Sequence, residues 1–202
     1  MHPNAAFGWT DRNAMLEFAA EQSFAHIFTA SENGQFVVHA PLLFRQGSPL
    51  FHVAKRNRIA GELDGQPVLI SILGRHAYHS ANWYVSDDQV PTWHYEAVEI
   101  EGVARRISDE QLVEFLDQLT GVMERRSSPD RPWTRAKMAP GKFEAMTKAI
   151  VGFEVEPTEI RGTRKFNQSK SDGDLEATIS GQRSTGREDI VEAIKECRFR
   201  GK

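Results

Sequence analysis

The order of apolar and polar positions predicts strands that dominate the chain, with single helices between them. "DRNAMLEFAAEQ" repeats apolar residues at the i, i+4 spacing of a helix face, and Thr10 and Asp11 are candidate caps. "FAHIFTA" and "QFVVHAPLLF" are β-rich and are joined by "SENG", whose Asn-Gly pair is a turn signal. A helix followed by a β-hairpin is therefore predicted.

The next segment continues the sheet. "LFHVA" and "VLISIL" predict two strands, with a short helix at "RIAGEL" between them. "HYEAVEIEGVARRI" alternates imperfectly and predicts a strand with Tyr95, Ala97 and Ile100 on its inner face and Gly102 as a candidate bulge.

The strongest helix signal begins at Ser108, whose spacing to Gln111 is that of a capping box. The apolar stripe that follows consists of Leu112, Phe115, Leu116, Leu119, Val122 and Met123. A shorter helix is predicted in "PGKFEAMTKAI" and a last strand in "VGFEVEPTEIRG". This order of elements favours the α+β class or a small barrel with a mainly antiparallel sheet.

The last part of the chain differs in charge. Residues 161–202 hold ten Lys or Arg against seven Asp or Glu, whereas the whole chain has a formal charge of -3. A second capping box, at Thr185 and Glu188, predicts a packed helix before the C-terminus. The absence of a run of 18 apolar residues and of a signal-like start predicts no membrane span and a cytoplasmic location.

A ring-rich segment, "HAYHSANWYVSDDQVPTWHY" (residues 76–95), holds all three tyrosines, two of the four tryptophans and three of the seven histidines. His76, His79 and His94 could in principle ligate a metal, although no carboxylate stands at ligand spacing, and no metal is predicted. The rings could line a dimer interface or hold a planar ligand by stacking. Composition leaves these two interpretations open.

Two basic clusters could bind an anion. Lys55, Arg56, Asn57 and Arg58 stand at the start of the predicted "RIAGEL" helix, where backbone amides and cations attract phosphate, although a solvated turn would have the same composition. "RKFNQSKSDGD" (residues 164–174) could cap the following helix or reach over a ligand. Common nucleotide, zinc and acyl-transfer motifs such as G-x-G-x-x-G do not occur in the sequence.

Five stretches in this order carry a family resemblance: "HAPLLF", "LFHVAKRN", the segment from His76 to Gly102, "AIVGFEVEPTEIRG" and "KFNQSKSDGD". From about Trp9 to about Gln182 the chain resembles the PaiB-type proteins, the FMN-binding negative transcriptional regulators. The resemblance implies a split β-barrel like that of the pyridoxamine-phosphate oxidases, and a homodimer with FMN in the groove between subunits. It also implies a division into an FMN-binding domain, residues 1–162, and a C-terminal extension, residues 163–202.

The resemblance places the FMN phosphate near the Lys55 turn and the flavin ring near the ring-rich segment. The cofactor-binding residues so predicted are Lys55, Arg56, Asn57, Asn82, Trp83, Tyr84, Trp93, His94, Lys165 and Gln168. The chain departs from the family pattern in three places: it has "SANWY" for S-P-S-W-Y, "TWHY" for T-W-N-Y and "KFNQSK" for K-L-S-Q-N-R. Asn82, His94 and Lys170 therefore differ from the residues typical of the family at these positions.

The function predicted is that of a flavin-dependent sensor or regulator. One alternative is a flavin-dependent oxidoreductase with His79 or His94 as proton donor; no other catalytic residue is assigned. A second is a repressor that contacts DNA through "EDIVEAIKECRFRGK". A third is a dimeric interaction module without flavin.

Overall fold

A computed structural model describes residues 2–199 and has the α+β composition that the sequence predicts. The helices are α1 (Arg12–Gln22), α2 (Asp109–Ser127), α3 (Lys142–Thr147), α4 (Asp172–Ser184) and α5 (Glu188–Phe199). The strands are β1 (Gly8–Trp9), β2 (Phe24–Ser31), β3 (Gly34–Pro41), β4 (Leu43–Arg45), β5 (Ser48–Ala54), β6 (Pro67–His79), β7 (Thr92–Arg106) and β8 (Ile150–Lys165).

The chain divides into two compact units. The sheet unit comprises Leu16–Ile72 and Glu99–Ile160; the C-terminal unit comprises Leu73–Val98 and the described residues before Leu16 and after Ile160. In the sheet unit the strand order is β3-β2-β6-β7-β8-β5-β4, and in the C-terminal unit β1 pairs antiparallel with β8. The sequence-based division at residue 162 stays a prediction, and its last residues, 200–202, lie outside the described part.

The hairpin of β2 and β3 confirms the Asn-Gly turn signal. The two strands pair antiparallel, with Ser31 opposite Gly34 at the turn. Gly34 has φ +117°, a conformation that residues with a Cβ rarely adopt, so glycine is required there. The turn therefore fixes the register of the hairpin.

Helix α2 begins as predicted. The Ser108 side chain accepts a hydrogen bond from the Gln111 backbone amide, while the Gln111 side chain accepts one from the Ser108 amide. The apolar stripe of the helix packs on the sheet in a buried cluster whose members are Leu50, Ile107, Leu112, Phe115 and Leu119. The predicted packing of this helix on the sheet is confirmed.

The inner face of β7 was predicted correctly at Ile100 but wrongly at Tyr95 and Ala97. The strand alternates regularly, and its buried residues include His94, Glu96 and Ile100, while Tyr95 and Ala97 are half-buried. The alternation continues through Gly102, where a Cβ would lie 2.2 Å from the backbone oxygen of Glu156, and a bulge at this residue stays a prediction. The prediction failed because it assumed that the carboxylate of Glu96 would face solvent.

The short helix predicted at "RIAGEL" is also wrong. Residues 55–62 form successive turns, in which the amides of Ala60 and Glu62 donate to the carbonyls of Asn57 and Ile59. These i→i+3 bonds do not extend into a helix. The Lys55 turn therefore has no helix dipole to offer an anion, and its attraction for phosphate must come from cations and turn amides.

Helices α4 and α5 give the C-terminal unit its own core. Ile190, Ala193 and Ile194 of α5 pack with Leu175 of α4 and with Phe166. The predicted packed helix is thus confirmed, although its predicted cap is wrong. The hydroxyl of Thr185 donates to the carbonyl of Gln182 at the end of α4, and α5 begins only at Glu188.

Among the described residues, none of the helices combines the length and the apolar character needed to cross a bilayer.

Candidate functional site

The ring-rich segment lies in the C-terminal unit, at the end of β6, the connection that follows, and the start of β7. Ser80 accepts a hydrogen bond from the Asn82 amide and begins a short 3₁₀ turn, Ala81–Trp83. Because β6 and β7 are the neighbouring strands flanking this connection, His79 and His94 are brought together although they are distant in sequence.

His79 and His94 form a buried pair. Both side chains are 0% exposed, and their rings stack with centroids 4.9 Å apart. The Tyr84 ring lies 4.5 Å from His79. Within the described part of the chain, none of the four ring nitrogens has a hydrogen-bond partner of acceptable geometry. Buried polar atoms without partners are rare in folded proteins, so this pair is the most unusual feature of the unit.

The pair is uncharged at neutral pH. Burial, and then the charge of Lys170, lower the pKa of His79 to about 4. Burial and then the neighbouring His79 lower the pKa of His94 to about 4 as well, with a smaller contribution from Lys165 and against the opposing effect of the Asn167 side chain. Charging either ring would place a cation in a site that is already close to lysines.

Polar side chains surround the pair on one side. The Asn167 amide group donates to the Tyr84 hydroxyl at 3.0 Å and to the Thr178 hydroxyl at 3.2 Å. Burial raises the pKa of the Tyr84 phenol. Lys170 donates to the Gln89 side chain at 2.5 Å, and its ammonium lies 4.8 Å from the centre of the Tyr84 ring. Tyr84 is therefore held in one orientation by contacts on its edge and face.

The two tryptophans of the segment have different environments. Trp83 is half-buried and packs on α4 so closely that a Cβ on Gly181 would lie 2.3 Å from its ring. Trp93 is 55% exposed and meets the exposed Tyr78 edge to face at 6.0 Å. Trp83 thus has a packing role, whereas Trp93 and Tyr78 offer an aromatic surface; Asn82 is exposed on the 3₁₀ turn.

Lys165 and Gln168 are both fixed by hydrogen bonds in the same unit. The Lys165 ammonium donates to the Thr92 hydroxyl at 2.8 Å, next to Trp93. The Gln168 side chain accepts from the Phe166 amide at 2.7 Å and donates to the Arg164 carbonyl, which folds the segment after β8 back on itself.

Asp174 connects this segment to the loop after Tyr84. Its carboxylate accepts from the Ser86 hydroxyl at 2.6 Å and from the amides of Val85 and Ser86 at 3.0 Å each. These hydrogen bonds lower the pKa of Asp174 to about 2, and the bond from the Ser86 hydroxyl has the largest effect. The sequence offered Asp172 or Asp174 as the cap of the following helix, but the cap is Ser171, whose hydroxyl accepts from the Asp174 amide at 3.2 Å. The contacts of Asp174 with the loop were missed because nothing local indicates a partner that is distant in sequence.

A second element missed by the sequence is a buried ion cluster. Glu96 is 1% exposed and pairs with Arg75 at 2.6 Å and with Arg164 at 3.3 Å. Arg75 also reaches Glu196 of α5 at 2.9 Å. The cluster ties β6, β7, β8 and α5 together and accounts for a carboxylate on the inner face of β7.

The predicted phosphate residues lie in the sheet unit, in the turn after β5. Lys55, Arg56 and Asn57 are exposed, and no carboxylate among the described residues is paired with Lys55 or Arg56. The Asn57 side chain accepts from the Ile59 amide at 3.2 Å and shapes the turn. A cavity of about 330 Å³ opens beside it, lined by Lys55, Arg106 and Asp64 together with apolar residues of β8.

These observations fit FMN chemically. Cations without a carboxylate partner suit a phosphate, and the exposed Trp93 and Tyr78 rings suit a flat ligand. No group of three or more His, Cys, Asp or Glu side chains in the described part could hold a metal, and His76 is exposed, with Nδ1 3.0 Å from the Gly74 carbonyl. The three histidines of the segment do not converge.

Comparison with known proteins agrees with this chemistry. Residues 1–159 match the family described as "Putative FMN-binding domain". Over 174 residues the chain is 30% identical to the protease synthase and sporulation protein PAI 2 of Bacillus subtilis (strain 168), covering 83% of this chain and 82% of that protein.

Two solved structures share the fold. A FAD and haem binding protein from Mycobacterium smegmatis is 14% identical with a TM-score of 0.58, over 78% of this chain and 73% of that one. The flavocytochrome Anf3 from Azotobacter vinelandii is 15% identical with a TM-score of 0.58, over 82% and 72%. The split β-barrel fold predicted from the sequence is confirmed, as is FMN as the cofactor of the family. The chain belongs to the FMN-binding domain family and is an FMN-binding protein of the PaiB type.

Proposed function

We propose that this protein is a homodimeric, FMN-dependent sensor that regulates through its flavin rather than by turning over a substrate. FMN supplies reversible redox chemistry when it is bound. The observation that carries the proposal is the buried, neutral His79–His94 pair beside the ring-rich segment.

The pair argues against the oxidoreductase alternative that gave these residues a role as proton donors. A general acid must hold its proton near the working pH and must reach the group that receives it. Burial lowers the pKa of both rings to about 4, and neither ring has exposed surface. At pH 7 the pair therefore has no proton to give beyond its neutral N–H groups.

The Lys55 turn would hold the phosphate of FMN. Lys55 and Arg56 are exposed and unpaired with carboxylates in the described part, so they are available to an anion without breaking an ion pair. Asn57 shapes the turn through its bond to the Ile59 amide. This assignment rests on cations and turn geometry, since the turn has no helix behind it.

The ring of FMN would lie near Trp93, whose exposed face meets Tyr78. Three further side chains of the segment or its neighbours could contact the flavin. Asn82 is exposed. Tyr84 is oriented by its hydrogen bond with Asn167, and Lys165 by its hydrogen bond to Thr92. Trp83, His94 and Gln168 would act indirectly, because each is engaged in packing or in bonds within its own segment.

The homodimer is supported by an apolar surface on the sheet unit. A cavity of about 620 Å³ is lined by residues of β2, β3, β6 and β7, with Phe28, Phe36 and Leu69 among them. Phe28 and Val37 of the hairpin are exposed large apolar residues, and β3 is an edge strand. Exposed apolar patches and unpaired edges are typical of association surfaces. A second copy is therefore the proposed occupant.

Direct DNA contact is the weaker alternative. The described residues of α5 hold four carboxylates, those of Glu188, Asp189, Glu192 and Glu196, against the two cations Lys195 and Arg198. Arg198 pairs with Asp172, and the apolar face of the helix is buried. An acidic helix with its apolar face in a core is poorly suited to the phosphate backbone. Residues 200–202 lie outside the described part.

FMN binding by turn variants tests the phosphate assignment. The double variant Lys55→Ala/Arg56→Ala should bind FMN at least about 100-fold more weakly, because charge-assisted hydrogen bonds contribute roughly 1.5 to 3 kcal/mol each. The matched control Arg125→Ala/Arg131→Ala removes two exposed cations of the same unit and should leave the affinity unchanged. Equal affinities for both double variants would exclude the turn from the site.

A further inference from the structure

A separate apolar cavity of about 340 Å³ lies in the sheet unit, beneath the segment that connects α2 to β8. Its lining residues are His52, Leu116, Thr120, Trp133, Met138, Phe143, Met146, Thr147 and Ile150. The volume falls in the range of sites for small organic ligands, which are mostly apolar with few polar groups.

The lining carries no carboxylate, lysine or arginine. A charged ligand would lose its hydration there without gaining an opposite charge, which is costly. The cavity therefore selects against ions. This distinguishes it from the cavity beside the Lys55 turn, which is lined by Lys55, Arg106 and Asp64.

The two cavities lie on opposite faces of the sheet. Side chains alternate between faces along a strand. On β8, Ile150 lines the apolar cavity, whereas its neighbour Val151 lines the charged one, and no residue lines both. A ligand in the apolar cavity would thus not occupy the proposed phosphate site.

The segment over the cavity is fastened to α2. The Trp133 amide donates to the Glu124 carboxylate at 2.7 Å, and Arg135 pairs with Asp117 at 3.3 Å. The Arg135 guanidinium also lies 5.0 Å from the centre of the Phe143 ring. These contacts position Trp133 and Phe143 over the cavity, so the site is formed before any ligand arrives.

Two large apolar side chains at the cavity remain accessible. Trp133 is 38% exposed and Met146 is 58% exposed. Aromatic and methionine side chains contribute apolar contact area to a ligand, and methionine adapts readily to its shape.

His52, Thr120 and the indole of Trp133 each bring a polar group to the lining that could orient a ligand. Of the two ring nitrogens of His52, Nδ1 is buried and has no hydrogen-bond partner in the described part of the chain, so Nε2 is the nitrogen that would meet a ligand. The ring lies against Phe115 with centroids 5.7 Å apart. Burial lowers the pKa of His52, so the ring stays neutral and one of its nitrogens donates while the other accepts. The hydroxyl of Thr147 is already engaged with the Glu144 carbonyl.

We propose that this cavity binds a neutral, flat, mainly apolar molecule of one or two rings whose single polar group pairs with His52. The site is independent of the proposed flavin function. It would allow a small aromatic compound to be recognised by the same chain.

Calorimetric titration of 1-naphthol into the full-length protein saturated with FMN tests this proposal. Saturable binding near one molecule per chain is expected, with 1-naphthoate binding at least tenfold more weakly because its carboxylate is charged. Absence of saturable binding by folded protein would overturn the proposal, as would equal affinity for both compounds. Binding to the FMN-free protein that FMN abolishes would also overturn it, since the ligand would then occupy the flavin site.

Variants of two residues that line the cavity test whether the ligand binds there. His52→Phe keeps the ring but removes its nitrogens, and should weaken 1-naphthol about tenfold while leaving 1-fluoronaphthalene within about twofold. Trp133→Ala should weaken both compounds. His26→Phe, the same substitution on β2 of the same unit, is the control and should change neither. Wild-type affinity in both cavity variants would place the ligand elsewhere and overturn the proposal.

Discussion

His79 and His94 stack with ring centroids 4.9 Å apart, in an interior where neither ring has a hydrogen-bond partner of acceptable geometry among the described residues. Each ring loses hydration on burial without a replacing bond, a cost of roughly 1 to 3 kcal/mol for each polar group left unpaired. The pair is therefore retained at a cost in stability. Such costs are commonly found at functional sites.

The pair predicts a pH dependence of stability. Both folded pKa values, about 4, lie below the ordinary histidine pKa of about 6.5, so between these limits the unfolded chain binds more protons than the folded one. The free energy of unfolding should fall as pH drops from 6.5 towards 4. One pKa unit corresponds to about 1.4 kcal/mol, so the total loss should be several kcal/mol. Urea unfolding at a series of pH values measures it.

His79→Leu should remove about half of this slope and leave stability at pH 7 unchanged or higher, because an apolar side chain needs no partner in that interior. The control is His76→Gln, which alters the exposed histidine of the same segment and should leave the slope as it is. A slope that survives in His79→Leu would show that the pair is not its source.

Gly181→Ala should destabilise the C-terminal unit although alanine is the better helix former. The added Cβ would lie 2.3 Å from the Trp83 ring, and overpacking of this kind costs about 1 to 3 kcal/mol. Gly173→Ala in the same helix is the control, since its Cβ would lie 3.4 Å from Val85 and should change stability by less than about 1 kcal/mol. Thermal unfolding distinguishes the two variants. A neutral Gly181→Ala would mean that the Trp83 ring moves freely.

Glu96→Gln should be more damaging than any surface charge change. It leaves Arg75 and Arg164 without their shared buried carboxylate, and removing one partner of a buried ion pair costs about 3 to 5 kcal/mol. Glu188→Gln breaks the exposed pair with Arg183 and should cost less than about 1 kcal/mol. Chemical unfolding of both variants gives the comparison, and equal losses would contradict a buried cluster.

Asp174→Asn should loosen the loop after Tyr84 while α4 remains folded. The amides of Val85 and Ser86 both donate to this carboxylate, and an uncharged amide is a weaker acceptor. Amide hydrogen exchange at Val85 and Ser86 should become faster, with exchange in the middle of α4 unchanged. Unchanged exchange at both amides would show that the loop is held by other contacts.

Local signals predicted much of the fold. The Ser108 and Gln111 capping box and the Asn-Gly turn of the hairpin act within a few residues, so the sequence reveals them directly. The prediction of which residues of β7 face inward failed because the buried carboxylate of Glu96 depends on its ion pair with Arg164, which is distant in sequence. The prediction of a helix at "RIAGEL" failed because the backbone of Asn57 forms turn hydrogen bonds with Ala54 and Ala60, which compete with helical hydrogen bonds.

The sequence indicated which segment forms the candidate site, but not which of its side chains contact one another. Sequence identified the ring-rich segment, yet the stacking of His79 on His94 depends on where the flanking strands end. The sequence also does not show that Trp83 is packed whereas Trp93 is exposed. That difference arises because α4 places Gly181 against the Trp83 ring. Asp174 and its loop contacts are products of tertiary structure alone.

A titration of the purified protein with FMN, following flavin fluorescence together with molar mass by light scattering, tests whether this chain is a flavin-binding dimer. Saturation is expected at about one flavin per chain, on a particle of twice the 22.8 kDa chain mass. A folded protein that leaves flavin fluorescence unchanged at saturating FMN would contradict it.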